Sequence, residues 1–214
     1  MYKLLSPDAV GIKQIFGLFL LINEIIYFSI SREPNERPNP PPPIATIFLL
    51  DILIIDLYMN LRQITIKDQL ELKKVYFDSI QSLDEKIYSQ EQKRAWSSQA
   101  WNNPNFDKSI IKGKGWLMSK QGIIIAFATR YPTDRIALFY CKGKFQRKGY
   151  GSRLLNKLED EAKKEGLDTL STEASLISYK LFLKNEWEII SKEKVIINNI
   201  FFERYKMIKI IKIN

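Results

Sequence analysis

The segment Cys141-Lys142-Gly143-Lys144-Phe145-Gln146-Arg147-Lys148-Gly149-Tyr150-Gly151-Ser152 gathers glycines, a glutamine and several cations into one short stretch. Glycine adopts backbone conformations closed to other residues, so Gly149 and Gly151 can aim successive N–H groups at one point. Lys142, Lys144, Arg147, Lys148 and, just beyond, Arg153 surround that point with positive charge. Amides and cations converging in this way can cradle a phosphate, above all at the start of a helix, where orphan donors and the helix dipole favour an anion. Composition excludes several other chemistries. With no histidine, Ser-His-Asp and Cys-His catalysis and histidine metal sites are ruled out, and a single cysteine rules out disulfides and thiolate zinc clusters. Cys141 reads as a strand residue rather than a nucleophile, and no metal site is expected.

Regular elements must hold this segment in place. Upstream, residues 136–141 have the β-branched and aromatic character of a buried strand, and downstream Leu154, Leu155, Leu158 and Ala162 recur at helical spacing. The cradle therefore joins a strand to a helix. It is not a Walker loop, because no Gly-Lys-Ser/Thr follows at the required spacing, and it lacks one of the three glycines of the dinucleotide fingerprint. The remaining pattern is Gln146-x-x-Gly149-x-Gly151. On this loop alone, a glycine turn followed by a solvated basic helix face accounts for the residues equally well.

At these residues the chain resembles the GNAT superfamily of acetyl-CoA-dependent N-acetyltransferases. Phe139-Tyr140-Cys141 stands where that family carries Leu-Tyr-Val before its pyrophosphate loop, and the subsequent order of helix, strand, helix and final strand ending FFERYKMIK matches the family's C-terminal half. The phrases YSQEQKRAW and STEAS look most similar to a YafP-like bacterial subgroup. The resemblance covers roughly residues 60 to 210 and implies an α/β (α+β) fold: a mixed, mostly antiparallel sheet flanked by helices, with strands four and five splayed apart. It implies that acetyl-CoA is held by Phe139, Tyr140, Cys141, Gln146, Arg147, Lys148, Gly149, Tyr150, Gly151, Ser152, Ser175 and Phe182. A backbone N–H between Phe139 and Cys141 would face the thioester carbonyl. Three departures stand out: Arg135 occupies the position of a glutamate base, Phe182 and Glu186 replace the tyrosine and glycine of Phe-Tyr-x-x-x-Gly-Phe, and Gly143 replaces a proline. Glu173, in STEAS, is the candidate base, and Tyr179, one turn before Phe182, is the candidate acid.

The net charge of +9 is uneven: residues 1–58 hold four Lys/Arg and six Asp/Glu, which leaves 29 against 18 beyond them. A basic body suits a cofactor with several phosphates, and its lysines are scattered along solvent-facing helix positions, so no nucleic-acid partner is expected. Residues 1–58 form an N-terminal extension with two apolar stretches around the Pro40–Pro43 run, a polyproline spacer. A membrane span needs about 20 mostly apolar residues, and a central acid costs roughly 2.5 to 3.5 kcal/mol. Glu24 interrupts the first stretch and Asp51 and Asp56 the second, so membrane contact through residues 15–30 is disfavoured. Met59 directly precedes the family-like region, and the preceding segment reads as an extension outside the fold or a misassigned start. No cleavable leader is recognised, and a lone cysteine suits a reducing cytoplasm.

Residues 59–214 are the expected domain. Residues 60–66 alternate as an edge strand; a helix opening at Lys67-Asp68 carries Leu70, Leu72, Val75, Tyr76 and Ile80; and a second starts near Tyr88-Ser89. Trp96 and Trp101 read as packing anchors before acceptor-site residues. Residues 102–105 read as a turn, 115–130 as a hairpin, and 131–134 as the next turn, leading into strand four. The expected function is acetyl transfer from acetyl-CoA to a small-molecule or peptide primary amine. The alternatives are a catalytically weak acetyl-CoA-binding regulatory module and a basic nucleic-acid-binding domain.

Overall fold

Runs of alternating and β-branched residues build one seven-stranded sheet in the computed structural model, which describes residues 59–211. Its strands are β1 (Met59–Gln63), β2 (Lys114–Lys120), β3 (Ile123–Arg130), β4 (Arg135–Cys141), β5 (Thr169–Ser175), β6 (Glu188–Ile197) and β7 (Ile200–Ile210), in the order β1-β2-β3-β4-β5-β7-β6. Only β4 and β5 run parallel; the other neighbours are antiparallel. Two-residue turns close the hairpins β2–β3 and β6–β7. Both turns need positive φ at both positions, supplied by Gln121 (51°) and Gly122 (77°) in the first and Asn198 (49°) and Asn199 (63°) in the second.

Among the described residues six α-helices complete the fold: α1 (Gln69–Gln81), α2 (Gln90–Ser97), α3 (Gln99–Asn102), α4 (Pro104–Ile111), α5 (Tyr150–Lys164) and α6 (Tyr179–Lys184). α5 buries Leu154, Leu155, Leu158 and Ala162 with Met118, Ala126, Ala128 and Met207. α1 buries Leu72, Val75, Tyr76 and Ile80 with Leu117, Phe127 and Leu138. Adjacent strand residues face opposite ways, so Leu117 and Met118 serve different cores and the sheet is covered on both faces. Leu70, at the start of α1, is 61% exposed. Among the described residues no helix is long and apolar enough to cross a membrane; the two apolar stretches of 1–58 lie outside them.

Three local expectations change. The turn at 102–105 is a helix start: the Asn103 side chain accepts from the Asn105 N–H and Pro104 takes the first helical position, which together launch α4. The segment SLISYKLFLKNEW after β5, which reads as one helix, is α-helical only over Tyr179–Lys184, because serines tie down the approach: Ser175 Oγ accepts from Ser178 N–H at 3.1 Å and Ser178 Oγ from Ser175 N–H at 2.9 Å. The first strand stops at Gln63 because Asp68 captures the residues on either side of the strand's end. Its carboxylate accepts from Arg62 at 2.6 Å, from the Thr65 N–H at 2.8 Å and from the Thr65 hydroxyl at 2.9 Å.

α5 and α6 close in the same way. Leu167 N–H donates to Ala162 and Gly166 N–H to Lys163 at the end of α5; Trp187 donates to Phe182 and Glu186 to Leu183 at the end of α6. Both are the paired 6→1 and 5→2 bonds of a helix C-terminus that needs a left-handed residue. Gly166 takes it at φ 72° and Glu186 at φ 63°. Only the glycine does so without a Cβ clash, worth about 1 to 2 kcal/mol, of which its freer unfolded chain returns about 0.4 to 1. Glu186→Gly is therefore expected to stabilise the protein by roughly 0.5 to 1 kcal/mol, seen as a melting temperature higher by about 2 °C.

The Arg62 guanidinium, with Thr65, outweighs burial and holds Asp68 at about 2. A carboxylate depressed on folding contributes stability that is complete above its ordinary value of about 3.9 and lost as the pH falls through its folded value. Asp68→Asn is expected to lower the melting temperature at neutral pH, with the gap to wild type closing between about pH 4 and pH 2.

Candidate active site

β4 and β5 touch only at their beginnings. Arg135 pairs with Ser171 and Ile136 with Thr172, and the Thr172 hydroxyl donates to the Ile136 carbonyl at 3.0 Å where the strands part. Beyond that point β4 stays with β3 and β5 stays with β7 to Ser175. Antiparallel partners alternate in direction, and Lys142 N–H donates to the Ile125 carbonyl at 2.8 Å. The register Ala126 to Cys141 and Phe127 to Tyr140 then turns Tyr140 toward β3 and the N–H groups of Phe139 and Cys141 toward the gap.

A cavity of about 630 Å³ runs through this gap. At one end lies the glycine loop. Gly149 adopts φ 83° and precedes α5, whose N-terminus has no side-chain cap and no acidic residue in its first turn. The first bond of the helix is Arg153 N–H to the Gly149 carbonyl, so the amides of Tyr150, Gly151 and Ser152 have no carbonyl one turn back. A Cβ on Gly151 would stand 3.0 Å from Leu181 Cδ2 and 3.6 Å from the Phe139 ring, so glycine lets α5 begin close against β4 and α6. Arg147, Lys180 and Lys184 add cations to this end.

The loop is locked from the side by α1. Gly143 N–H donates to Asp78 Oδ2 at 2.9 Å, and a Cβ at 143 would fall 2.3 Å from Ser82 Cβ. Gln146 Nε2 donates to the Cys141 carbonyl at 3.1 Å, folding the loop back on the strand end. Burial, with Asp78 adding to it and Lys148 opposing it, pushes the Cys141 thiol up to about 11, which leaves it protonated and poorly nucleophilic at neutral pH.

The opposite end is walled by Tyr88, Trp96, Tyr140, Val195, Ile197 and Phe202. Tyr88 is buried, and its hydroxyl accepts from the Leu176 N–H at 3.0 Å, tying the α1–α2 connection to the end of β5. Burial raises its phenol above the usual value although the Leu176 N–H opposes this, so the hydroxyl keeps its proton at neutral pH.

The cavity brings together Phe139, Tyr140, Cys141, Gln146, Arg147, Gly149, Tyr150, Gly151, Ser152, Glu173, Ser175 and Phe182. Two expected residues do not line it. Lys148 lies over the Phe145 ring at 5.7 Å, and Tyr179 stacks on Tyr205 at 4.5 Å. Glu173 does line it, but Arg135 grips its carboxylate at 2.6 to 3.2 Å. Trp96 and Trp101 separate: Trp96 packs between Tyr88 and Tyr140 on the cavity wall, whereas Trp101 is half exposed against Phe77. Sequence reasoning missed Lys180 and Lys184, whose i, i+4 spacing after β5 was a usable signal, Arg204, which pairs with Glu193 across the β6–β7 hairpin, and Tyr88 and Asp78, whose partners are distant in sequence. Among the described residues no cluster of three His, Cys, Asp or Glu side chains could hold a metal.

Parted parallel strands, an uncapped helix start between them and an apolar far end suit an extended ligand that carries phosphate at one end. The chain belongs to the Acetyltransferase (GNAT) domain family, which matches residues 85–209. It is similar to a GCN5-related N-acetyltransferase from Rhodopseudomonas palustris, at 25% identity over 71% of this chain and 94% of that one, with a TM-score of 0.66. PaiA N-acetyltransferase from Thermoplasma acidophilum, solved with coenzyme A, shares the fold at 18% identity, covering 71% of this chain and 98% of that one, with a TM-score of 0.55. YncA from Salmonella typhimurium, solved with acetyl-CoA, shares it at 13% identity, covering 73% and 96%, with a TM-score of 0.53. Among curated proteins nothing matches. The protein is thus a GNAT-type acyltransferase, and acetyl-CoA is the co-substrate of that class. The open amides of α5, the missing Cβ at Gly151 and the nearby cations fit the diphosphate of that molecule.

Because Asp78 fixes the start of the loop through one hydrogen bond, Asp78→Ala is expected to weaken coenzyme A binding about fivefold, the equivalent of about 1 kcal/mol. Asp78→Asn, which retains an acceptor oxygen, is expected to bind nearly as well as wild type. Titration calorimetry with coenzyme A measures both.

Proposed function

We propose that the protein moves the acetyl group of acetyl-CoA to a primary amine by direct attack in a ternary complex. One observation carries this reading: a single cavity joins the glycine loop to an apolar chamber through the gap between β4 and β5. In it, the amides of 150–152 and Arg147, Lys180 and Lys184 hold the diphosphate. Acetyl-CoA supplies a thioester whose carbonyl carbon is open to attack. The N–H groups of Phe139 and Cys141 face the space where its oxygen gains charge, and fixed donors there lower the barrier without reorganisation. Holding amine and thioester together supplies much of the rest.

Glu173 is the proposed proton acceptor. Its Oε1 makes only the longer contact with Arg135, at 3.2 Å, and so has more lone-pair capacity left than Oε2. Arg135 already occupies much of the carboxylate's acceptor capacity, so its contribution belongs at the low end of the range for proton transfer, about 100-fold. A thiolate with a pKa near ~8.5 departs without a strong donor, so Tyr179 is expected to add only a small factor. Within the family the chain is placed with the YafP-like bacterial subgroup on YSQEQKRAW and STEAS. Catalysis is assigned to residues 59–214, with 1–58 an extension, and the cytoplasm is the proposed location.

The test combines melting scans with thiol release. Acetyl-CoA at 100 times its dissociation constant is expected to add about 2.7 kcal/mol of stability. Thiol release should depend on added amine, and Glu173→Gln should slow it about 100-fold with the acetyl-CoA shift unchanged. A shift with no release by any amine leaves only a binding module.

A further inference from the structure

We propose that the acceptor is a small apolar monoamine: a primary amine on an aromatic or branched aliphatic body, without a second charge. This rests on the acetyl-transfer reading and narrows it. The acceptor end of the cavity is aromatic and aliphatic, with Tyr88, Trp96, Phe202, Val195 and Ile197 on its walls. The three aromatic rings stand 5.3 to 6.2 Å apart and brace one another, so the wall is rigid as well as apolar.

Charge at this end is already matched. Glu173 is paired with Arg135 at 2.6 Å, Glu203 with Lys192 at 2.8 Å and Arg204 with Glu193 at 3.0 Å. A carboxylate or a second ammonium on the acceptor would have to displace a partner from one of these pairs or enter unpaired, and an unpaired charge beside apolar walls is strongly disfavoured. The same walls favour an acceptor amine in its neutral form, since desolvation lowers an amine's pKa. Neutral nitrogen is the form that attacks. That suits a site whose acidic side chain is largely occupied by Arg135.

The β6–β7 hairpin beside this wall is also fixed in place. At the tip of the β6–β7 hairpin, Asn198 Nδ2 donates to Ser98 Oγ at 3.0 Å and to the Ala95 carbonyl at 3.4 Å, while Gln92 Nε2 donates to the Phe201 carbonyl at 2.9 Å. These bonds latch the hairpin across α2. An acceptor that needed the hairpin to move away from α2, as a polypeptide laid between them would, has to break the latch, whereas a compact amine does not.

In the reaction the amine nitrogen forms a bond to the acetyl carbon as the carbon–sulfur bond breaks. The electron pair of that bond leaves on sulfur as the thiolate of coenzyme A, the nitrogen's surplus proton passes to Glu173 or water, and a neutral N-substituted acetamide is released.

The experiment compares thiol release with phenethylamine, 3-methylbutylamine, spermidine, lysine and a short peptide with a free N-terminus, alongside calorimetric binding of phenethylamine to the coenzyme A-saturated protein. The two apolar monoamines are expected to exceed the other three in kcat/KM by roughly tenfold or more. Val195→Asp, which puts an unpaired carboxylate on the chamber wall, is expected to move the preference toward spermidine while the melting shift with coenzyme A persists. Preference for spermidine, lysine or the peptide by the wild type overturns this inference and leaves acetyl transfer standing. Thiol release that no amine accelerates overturns both.

Discussion

The structure depends on where β4 and β5 stop being neighbours. Two paired positions join them, and after Ile136 each keeps only its outer partner. Unmade strand pairing ordinarily leaves backbone donors and acceptors exposed to competing partners. Here it leaves the N–H groups of Phe139 and Cys141 pointing into a cleft lined on one side by β5. Buried backbone groups must be satisfied, and an extended molecule carrying amides, such as the arm of coenzyme A, can satisfy them as a short strand would. The parting also sets the length of the site, since it carries the cavity from the start of α5 to the far wall at Phe202.

The cleft stays open because both flanks are held from outside. On the β4 side, Asp78 and Ser82 of α1 fix the loop after Cys141. On the β5 side, the Tyr88 hydroxyl ties down Leu176, and Ser175 and Ser178 lock each other before α6 begins. The α1–α2 region thus reaches both lips of the cleft. Its side chains therefore bear on the cleft's width as well as on the apolar wall at Tyr88 and Trp96.

What was legible in the sequence was local. The strand at 136–141, the loop and the apolar face of α5 lie within a few residues of one another, so spacing and residue type identified them, and with them the GNAT resemblance. Non-local pairings were opaque. Nothing near Asp78 announces Gly143, which lies 65 positions on, and nothing near Glu173 announces Arg135, 38 positions back. Capping chemistry lay between these extremes: Asn103-Pro104 carried a helix-start signal as well as a turn signal, and α4 follows from the first. Gly143 illustrates the same limit. As a departure from the family's proline it reads as a loss, yet its N–H is the donor that Asp78 needs, and proline has none.

Arg135 stands where some family members carry a base, and it changes what the neighbouring carboxylate can do. A guanidinium is permanently charged, and Arg135 puts both of its short bonds on Oε2, so Glu173 is oriented with Oε1 the less occupied oxygen. On the proposed reading, a site whose carboxylate is largely occupied can still acetylate amines if the nitrogen arrives neutral, and an apolar wall is one physical means to that end. The pairing of Arg135 with Glu173 and the aromatic walls at Tyr88, Trp96 and Phe202 are thereby two halves of one arrangement: the first limits proton abstraction by the protein, and the second reduces the need for it.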